Sequence, residues 1–322
     1  MEQTPFGWAY LGAGIIANQT AGQIVPTGRH KLVAVYNRSR QKAEELAAKY
    51  GATVYDTPEE AIAAPGVDGV YIAVIHPLHT DYMRRCAELG KPVLCEKPLG
   101  MQAEESEAAL AFAREKGVYA AEAMWTWFNA TAKQVKQWVT SGEIGRVQSI
   151  KCCYAMPVVK FYKAPRLLEK DLGGGALLDV GIYPIAYCWH LLGKPEAITC
   201  TGKVENGVDL GELVTLRYPD GAACELDISL VEFHGMEKAT IVGTEGTITV
   251  PMFHGATKAV LKNTRGKTVF RDTVGKNELY IPQFDTVARE IRAGRLESEA
   301  IPHASTVQIA QIMDECLHQL GL

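Results

Sequence analysis

Phe6-Gly7-Trp8-Ala9-Tyr10-Leu11-Gly12-Ala13-Gly14-Ile15-Ile16-Ala17 joins a short apolar run to a G-x-G-x-x-A turn, with a helical stretch after Gly14. Gly12 suits a tight turn, and Gly14 lets the backbone approach a pyrophosphate. Ala17 lets helix and strand pack closely, and the helix start at Ile15 and Ile16 faces the phosphates. Small residues also occur in plain turns. What favours a dinucleotide site here is the place of the motif, between a strand and a helix near the N-terminus.

Working outward, Lys31 to Tyr36, Thr53 to Tyr55, Val67 to Ile75, Pro92 to Cys95 and Val118 to Met124 read as strands. Arg40 to Tyr50, His79 to Leu89 and Ala103 to Lys116 read as helices, and each is followed by a glycine that can stop it. Repeated βα units predict a parallel sheet with helices on both faces, a doubly wound Rossmann α/β domain over 1–123. Beyond it, Gln148 to Tyr154, Ala197 to Val204, Glu212 to Tyr218, Ala222 to Leu230, Ala239 to Val242, Thr247 to Val250 and Lys258 to Lys262 are strand-like. Cys224, Leu226, Ile228 and Leu230 alternate with Glu225, Asp227 and Ser229, the mark of a sheet with one polar face. Helices from about Ala176, Pro282 and Ser305 are expected to accompany that sheet. The second domain, 124–322, is therefore α+β with a largely antiparallel open sheet.

Composition narrows the function. The 322 residues suit two domains at roughly 100–200 residues each. A net charge of −4 is wrong for a general nucleic-acid binder, which needs excess Lys and Arg against phosphate. No apolar run approaches the ~20 residues of a membrane span, and no basic stretch with an apolar block marks a signal peptide. None of the eight cysteines forms a C-x-x-C, so they read as buried reduced thiols of a cytoplasmic protein.

Two loops carry charge where the sheet predicts a ligand crevice. After the second strand comes Tyr36-Asn37-Arg38-Ser39-Arg40, without the acidic residue that would bind a ribose 2′-hydroxyl. Arg38 suits adenine or a 2′-phosphate, Ser39 suits donation to that phosphate, and Asn37 belongs to the same loop. NADP is therefore preferred over NAD; the alternative is a solvated loop in which Ser39 caps the next helix. After the fifth strand comes Glu96-Lys97-Pro98, a charged pair aimed into the crevice. A lysine in a partly dry cleft suits proton transfer; the alternative is a surface Glu-Lys pair.

These pieces resemble the Gfo/Idh/MocA family of NAD(P)-dependent oxidoreductases. The resemblance rests on Gly12 to Ala17, Ile75-His76-Pro77-Leu78-His79, Glu96-Lys97-Pro98, Glu122-Ala123-Met124-Trp125 and Gly173-Gly174-Gly175-Ala176-Leu177-Leu178-Asp179-Val180-Gly181-Ile182-Tyr183, and on the tail from Phe284 to Asp314. Within the family the chain is most similar to dimeric dihydrodiol dehydrogenases. Trp127 stands where that subgroup often carries arginine. The resemblance implies hydride transfer between nicotinamide and a hydroxyl-bearing carbon of a sugar, inositol or cyclic trans-diol, in a homodimer or higher homo-oligomer. It places His76, Pro77 and His79 near the cofactor, with Glu96 and Lys97, and Trp125 at the substrate. It also implies that Tyr183 exchanges the substrate proton, that Lys97 favours the tyrosinate, and that Asp179 orients Lys97 or a substrate hydroxyl.

Asp179 and Tyr183 are four apart and would share a helix face, although Pro184 disturbs the local geometry. His76 and His79 lack a third ligand nearby, so no metal is expected. His190, His234, His254, His303 and His318 have no sequence companions and read as structural or solvated. Two other readings stay open: a non-catalytic dinucleotide sensor of the same fold, and an NAD-dependent glycosidase-type member.

Overall fold

The computed structural model describes residues 4–273, 275 and 278–322. The chain forms two compact units, Met1–Trp125 with Asn277–Val307, and Thr126–Lys276 with Gln308–Leu322.

In the first unit, β1 (Phe6–Leu11), β2 (His30–Tyr36), β3 (Thr53–Val54), β4 (Gly69–Ile72), β5 (Val93–Cys95) and β6 (Ala120–Glu122) alternate with helices α1 (Ile15–Ile24), α2 (Arg40–Tyr50), α3 (Pro58–Ala63), α4 (His79–Glu88) and α5 (Ala103–Glu115). The strands pair in parallel in the order β3-β2-β1-β4-β5-β6. All six residues of β1 are buried, as expected for a central strand covered on both faces. On one face Trp8, Tyr10 and Tyr71 pack with Ala17, Ala21 and Ile24 of α1. On the other, Leu11, Val70 and Ile72 pack with Met83 and Cys86 of α4 and Leu110 of α5.

In the second unit, α6 (Ala130–Thr140) precedes β7 (Val147–Ala155), followed by the short α7 (Val158–Phe161) and α8 (Ile182–Leu192). Then come β8 (Ala197–Glu205), β9 (Val208–Arg217), β10 (Ala223–Ser229), β11 (Lys238–Gly243), β12 (Gly246–Pro251), β13 (Lys258–Asn263) and β14 (Gly266–Arg271). The sheet order is β14-β13-β12-β11-β7-β10-β9-β8. Every pair is antiparallel except β7 with β10. The alternation read from Cys224 holds to Ile228, with Cys224, Leu226 and Ile228 buried, but Ser229, expected on the polar face, is buried as well. β14 escapes the sequence pattern because it is a mostly exposed edge strand of polar composition.

One helix does not lie where the sequence suggests. α9 (Ile281–Arg292) belongs to the first unit, not to the second sheet. Its Phe284 sits edge-on to Trp8, at 5.1 Å between ring centres, and to Tyr71, at 5.2 Å. Asp285 accepts from Arg29 at 3.0 Å and pairs with His30 Nε2 at 2.9 Å. An amphipathic pattern marks that a helix has a buried face but not which sheet it covers. α10 (His303–Gln319) starts in the first unit and ends in the second. The helical stretch Lys170–Leu192 is long and apolar enough to cross a membrane by length and composition, which the search for an unbroken apolar run overlooks. Of its most apolar window, 72% is buried, as in a core helix. All eight cysteines are free.

Candidate active site

In the first unit β1 pairs with both β2 and β4, so the strand order reverses there and the carboxyl ends open a crevice, the usual ligand position in such sheets. Gly12 lies at that point. Its N–H donates to Tyr36 O at 2.8 Å, its φ is +112°, and a Cβ would sit 2.3 Å from Ala73 O. Only glycine fits. Gly14 differs: its φ is −77°, and no atom lies within 4 Å of where its Cβ would point. Nothing in the chain itself requires a glycine there. The space it leaves, at the start of α1, fits the close approach of a dinucleotide pyrophosphate. Ile15 is exposed at that helix start, and Ala17 is fully buried against the sheet.

Asn37 links the glycine turn to the loop after β2. Its Oδ1 accepts from Ala13 N at 3.1 Å and its Nδ2 donates to Ser39 O at 2.9 Å, so it braces the glycine turn. Arg38 and Ser39 are exposed. Ser39 occupies the N-cap position of α2 without a side-chain capping bond, which removes the capping alternative for its hydroxyl.

The β4 and β5 ends carry the other expected residues. His76 is buried and opens a single 3₁₀ turn, His76–Leu78, that includes Pro77. His79 is fully buried: Nδ1 lies 2.8 Å from Pro98 O and Nε2 3.2 Å from Val74 O. Its ring ties two loops together. Glu96 is also turned inward. It accepts from the Tyr71 hydroxyl, and its Oε2 lies 3.3 Å from Lys97 N. Burial pushes its carboxyl upward from the ordinary carboxylate range. Lys97, half-buried, follows it at the crevice and precedes Pro98 through a cis peptide.

Sequence reading missed what holds this loop. Glu122, at the end of β6, is buried; Oε1 accepts from Leu99 N at 3.1 Å and Oε2 from Thr306 Oγ1 at 3.1 Å. Burial raises its carboxyl to about 7, against the two hydrogen bonds that pull it down. Trp125 is buried with its ring 4.9 Å from that of Tyr280.

In the second unit the triple glycine answers to local crowding. Gly173 has φ +70°, a Cβ at Gly174 would meet Leu167 O at 2.6 Å, and a Cβ at Gly175 would meet Asp209 Oδ1 at 2.3 Å. Asp209 Oδ2 accepts from Leu177 N at 2.7 Å. This buried carboxylate thereby fixes the start of the segment that carries Asp179 and Tyr183. Leu177–Gly181 is a π-helical turn that runs directly into α8. Pro184 stands in the first turn of α8, and the wide turn before it accommodates a residue with no N–H to donate.

Around Tyr183 lie aromatic rings. Tyr154 is at 6.0 Å and His254 at 5.3 Å between ring centres, and Tyr154 stacks on His254 at 4.8 Å. Glu237 Oε2 pairs with His254 Nδ1 at 2.7 Å, His234 likewise bridges Asp227 and Glu232, and in the first unit His303 Nδ1 lies 4.0 Å from Glu297 Oε2, so three of the histidines read as companionless have carboxylate partners. The hairpin register would have signalled the first pair. Gly243 and Gly246 flank the turn, so Lys238 faces Pro251 and Glu237 falls beside the residues after β12. Trp127 is a packing residue: it stacks on Trp189 at 5.7 Å and approaches His190 at 4.4 Å.

Residues 6–123 match the model of an oxidoreductase family with an NAD-binding Rossmann fold, GFO_IDH_MocA, and residues 132–249 match the GFO/IDH/MocA C-terminal domain. The chain is 31% identical over 327 residues to a trans-1,2-dihydrobenzene-1,2-diol dehydrogenase of Xenopus tropicalis, covering 98% of each. In fold it is similar to a levoglucosan dehydrogenase in complex with NADH and levoglucosan (TM-score 0.85, 21% identity, 98% and 97% of the two chains). It is also similar to the aldose-aldose oxidoreductase of Caulobacter crescentus (TM-score 0.83, 21% identity, 98% and 97%). The chain belongs to the Gfo/Idh/MocA family and is an NAD(P)-dependent oxidoreductase.

Proposed function

We propose that the chain transfers a hydride between NADP(H) and a hydroxyl-bearing carbon of a small cyclic diol or sugar, with a cyclic trans-diol as the first candidate. The observation that carries this reading is the setting of Tyr183, a phenol beside two flat rings, Tyr154 and His254, that stack on each other. Such a wall suits a flat or cyclic carbon skeleton that bears hydroxyls. The diol dehydrogenase identity over nearly the whole chain supports the same substrate class.

Bound NADP supplies the hydride acceptor. The chain's own groups handle the proton. Three tyrosines lie near the start of α8, and burial separates them. Tyr154 and Tyr187 are pushed well above the ordinary phenol range by desolvation, so each keeps its proton. Tyr183 is less buried and is the phenol assigned to proton exchange with the substrate oxygen. We assign Lys97 to favouring its charged form and Asp179 to orienting Lys97 or a substrate hydroxyl. Gly12, Gly14 and the start of α1 take the pyrophosphate, His76 and Pro77 border the nicotinamide side, and Trp125 is a substrate wall. Arg38 and Ser39 take the 2′-phosphate. The solvent-facing side of β8 to β10, where Leu213 is exposed, is the surface assigned to self-association.

A panel of trans-diols, inositols and sugars, followed at nicotinamide absorbance with NADP and with NAD, tests the reading. Turnover of no member sinks it. Calorimetric titration tests the cofactor. Arg38→Ala is expected to weaken NADP roughly ten- to hundredfold, as for the loss of one charge-assisted contact, and to weaken NAD far less. Equal losses for both cofactors would remove the 2′-phosphate assignment.

A further inference from the structure

The backbone that carries Lys97 is held on both sides by buried side chains. The Lys97 N–H donates to Glu96 Oε2 at 3.3 Å, and Glu96 itself accepts from the Tyr71 hydroxyl. Pro98 O lies 2.8 Å from His79 Nδ1, and the Leu99 N–H donates to Glu122 Oε1 at 3.1 Å. Gly100 packs against α5, where a Cβ would sit 2.8 Å from Ser106 Oγ. The hold from Glu122 comes from the neighbouring strand. In the β5–β6 register Glu122 faces Cys95, two residues before Lys97, yet its side chain binds Leu99, two residues after it.

Nothing in the packing of β6 asks for an acid at its end. Ala121, Ala123 and Met124 are buried and apolar, and Glu122 is 2% exposed among them. A carboxyl group at that depth is unfavourable unless its oxygens are hydrogen-bonded, and each oxygen of Glu122 has a donor. The second donor is Thr306 Oγ1, 3.1 Å from Oε2, itself buried near the start of α10. The helix fixes one oxygen and so aims the other at Leu99 N. Leu99 is buried as well, so its N–H has no water to replace that acceptor.

We propose that Glu122, oriented by Thr306, is a positioning residue for Lys97, acting on turnover through the loop backbone and not by contact with substrate or cofactor. The inference rests on the assignment of Lys97 to the proton step. The lysine is two residues from the clamped N–H, so a loosened Leu99 shifts the base of its side chain. A misplacement of about 1 Å at a reacting centre can cost ~10²-fold in rate. The clamp therefore governs kcat. The dinucleotide phosphates, assigned to Gly12, Gly14 and α1, do not depend on it.

The test is a double-mutant cycle. Glu122→Ala, Glu122→Gln and Thr306→Val are each made alone and on Lys97→Met, and kcat and KM are measured with trans-cyclohexane-1,2-diol and NADP, beside calorimetric titration of NADP. If the wild type does not oxidise that diol, the panel member it turns over fastest replaces it. Glu122→Ala is expected to lower kcat roughly tenfold or more, with KM and NADP affinity nearly unchanged. Glutamine keeps an oxygen for Leu99 N, so Glu122→Gln should retain most of kcat. Thr306→Val leaves that contact but loosens its aim, and its kcat should fall between the two. On Lys97→Met, none of the three should cause a further loss, because no lysine is left to position. Losses of the same factor in both backgrounds would mean a merely structural role and overturn the proposal, as would an unchanged kcat in folded Glu122→Ala. If Glu122→Ala does not fold, Thr306→Val carries the cycle. A failed cycle leaves the proposed function standing. Lys97→Met with more than a tenth of wild-type kcat, or no turnover of any panel member by the wild type, removes the assignment of Lys97 and this inference together.

Discussion

Glu122 in the first unit and Asp209 in the second perform parallel tasks with different electrostatics. Each is a buried carboxyl group that accepts one backbone N–H. The bond of Glu122 is to Leu99, two residues after Lys97, and that of Asp209 is to Leu177, two residues before Asp179. Each therefore pins a turn that carries a residue assigned to catalysis. Glu122 has Thr306 as its second donor, and burial still raises it to about 7. Asp209 has Glu212 for a neighbour, whose carboxyl is pushed up to about 11, first by burial and then by the Asp209 charge. In the second unit the neighbour is the group pushed upward, and the clamp accepts the Leu177 N–H. In the first, the clamp itself approaches titration near neutral pH. Burial thus raises the clamp itself in one unit and the neighbour of the clamp in the other.

The largest effects are expected at the residues the clamps serve. Lys97→Met and Tyr183→Phe should each lower kcat by about 10²–10⁴-fold, the usual contribution of a positioned acid–base group. Dinucleotide affinity should change little in either, because the phosphates are assigned to Gly12, Gly14 and α1. Single-turnover rates with the best panel substrate, beside cofactor titrations, check both. A variant that keeps more than a tenth of wild-type kcat does not carry the assigned step.

Glu212→Gln breaks the comparison most directly. A group whose pKa rises on folding stabilises the fold below its unfolded value, and that stability is lost as pH climbs toward the folded value. For Glu212 the loss starts near 4.5 and continues to about 11, at up to ~1.4 kcal/mol per pH unit. Glutamine mimics the protonated acid. The variant should match the wild type near pH 5 and become increasingly more stable than it toward pH 9. Urea unfolding across that range reads the divergence; parallel curves would mean that Glu212 does not hold its proton.

The sequence made the first unit legible because each chemical requirement there also left a local mark. The tight turn demanded Gly12, and the strand run from Phe6 to Leu11 demanded burial on both faces. The Glu96-Lys97-Pro98 loop was equally visible, but the inward turn of Glu96 was not, because its partner Tyr71 lies 25 residues away on the next strand. In the second unit the triple glycine announced a constraint without naming it. The atom that crowds Gly175 belongs to Asp209, 34 positions on, and only the fold brings the two together. His254 read as solitary for the same reason: its partner Glu237 meets it across a hairpin, not along a helix face. Local patterns report what a residue needs of its own backbone, while clamps and pairs are tertiary and appear only with the register.

Glu122→Gln sharpens the other half. The carboxyl rises from 4.5 to about 7, so its stabilising contribution is present below ~4.5 and is lost as pH rises to about 7, roughly 3 kcal/mol in all. The amide cannot ionise, so this fall should disappear. Glutamine offers an N–H₂ to one of two donors, and the expected offset is a loss of about 1 kcal/mol at pH 5. The variant should then be slightly less stable than the wild type at pH 5 and more stable at pH 8. A wild-type unfolding free energy that is flat between pH 5 and 7 would contradict the shift at Glu122.

The smallest expected effect separates acceptor from charge at Asp209. Asp209→Ala leaves the Leu177 N–H buried without its 2.7 Å acceptor, a loss of roughly 1–3 kcal/mol. Asp209→Asn retains an oxygen that can accept the same N–H, and it removes the charge that helps keep Glu212 protonated. If the clamp acts as an acceptor, asparagine should recover most of the stability lost in alanine. The alanine variant should lose kcat beyond what its folded fraction explains, because the π-helical turn holding Asp179 and the start of α8 holding Tyr183 lose their anchor. Asparagine should restore kcat along with stability. Equal damage in both variants would show that the negative charge, and not the hydrogen bond, fixes this turn, and Asp209 would then differ from Glu122 in its task as well as in its surroundings.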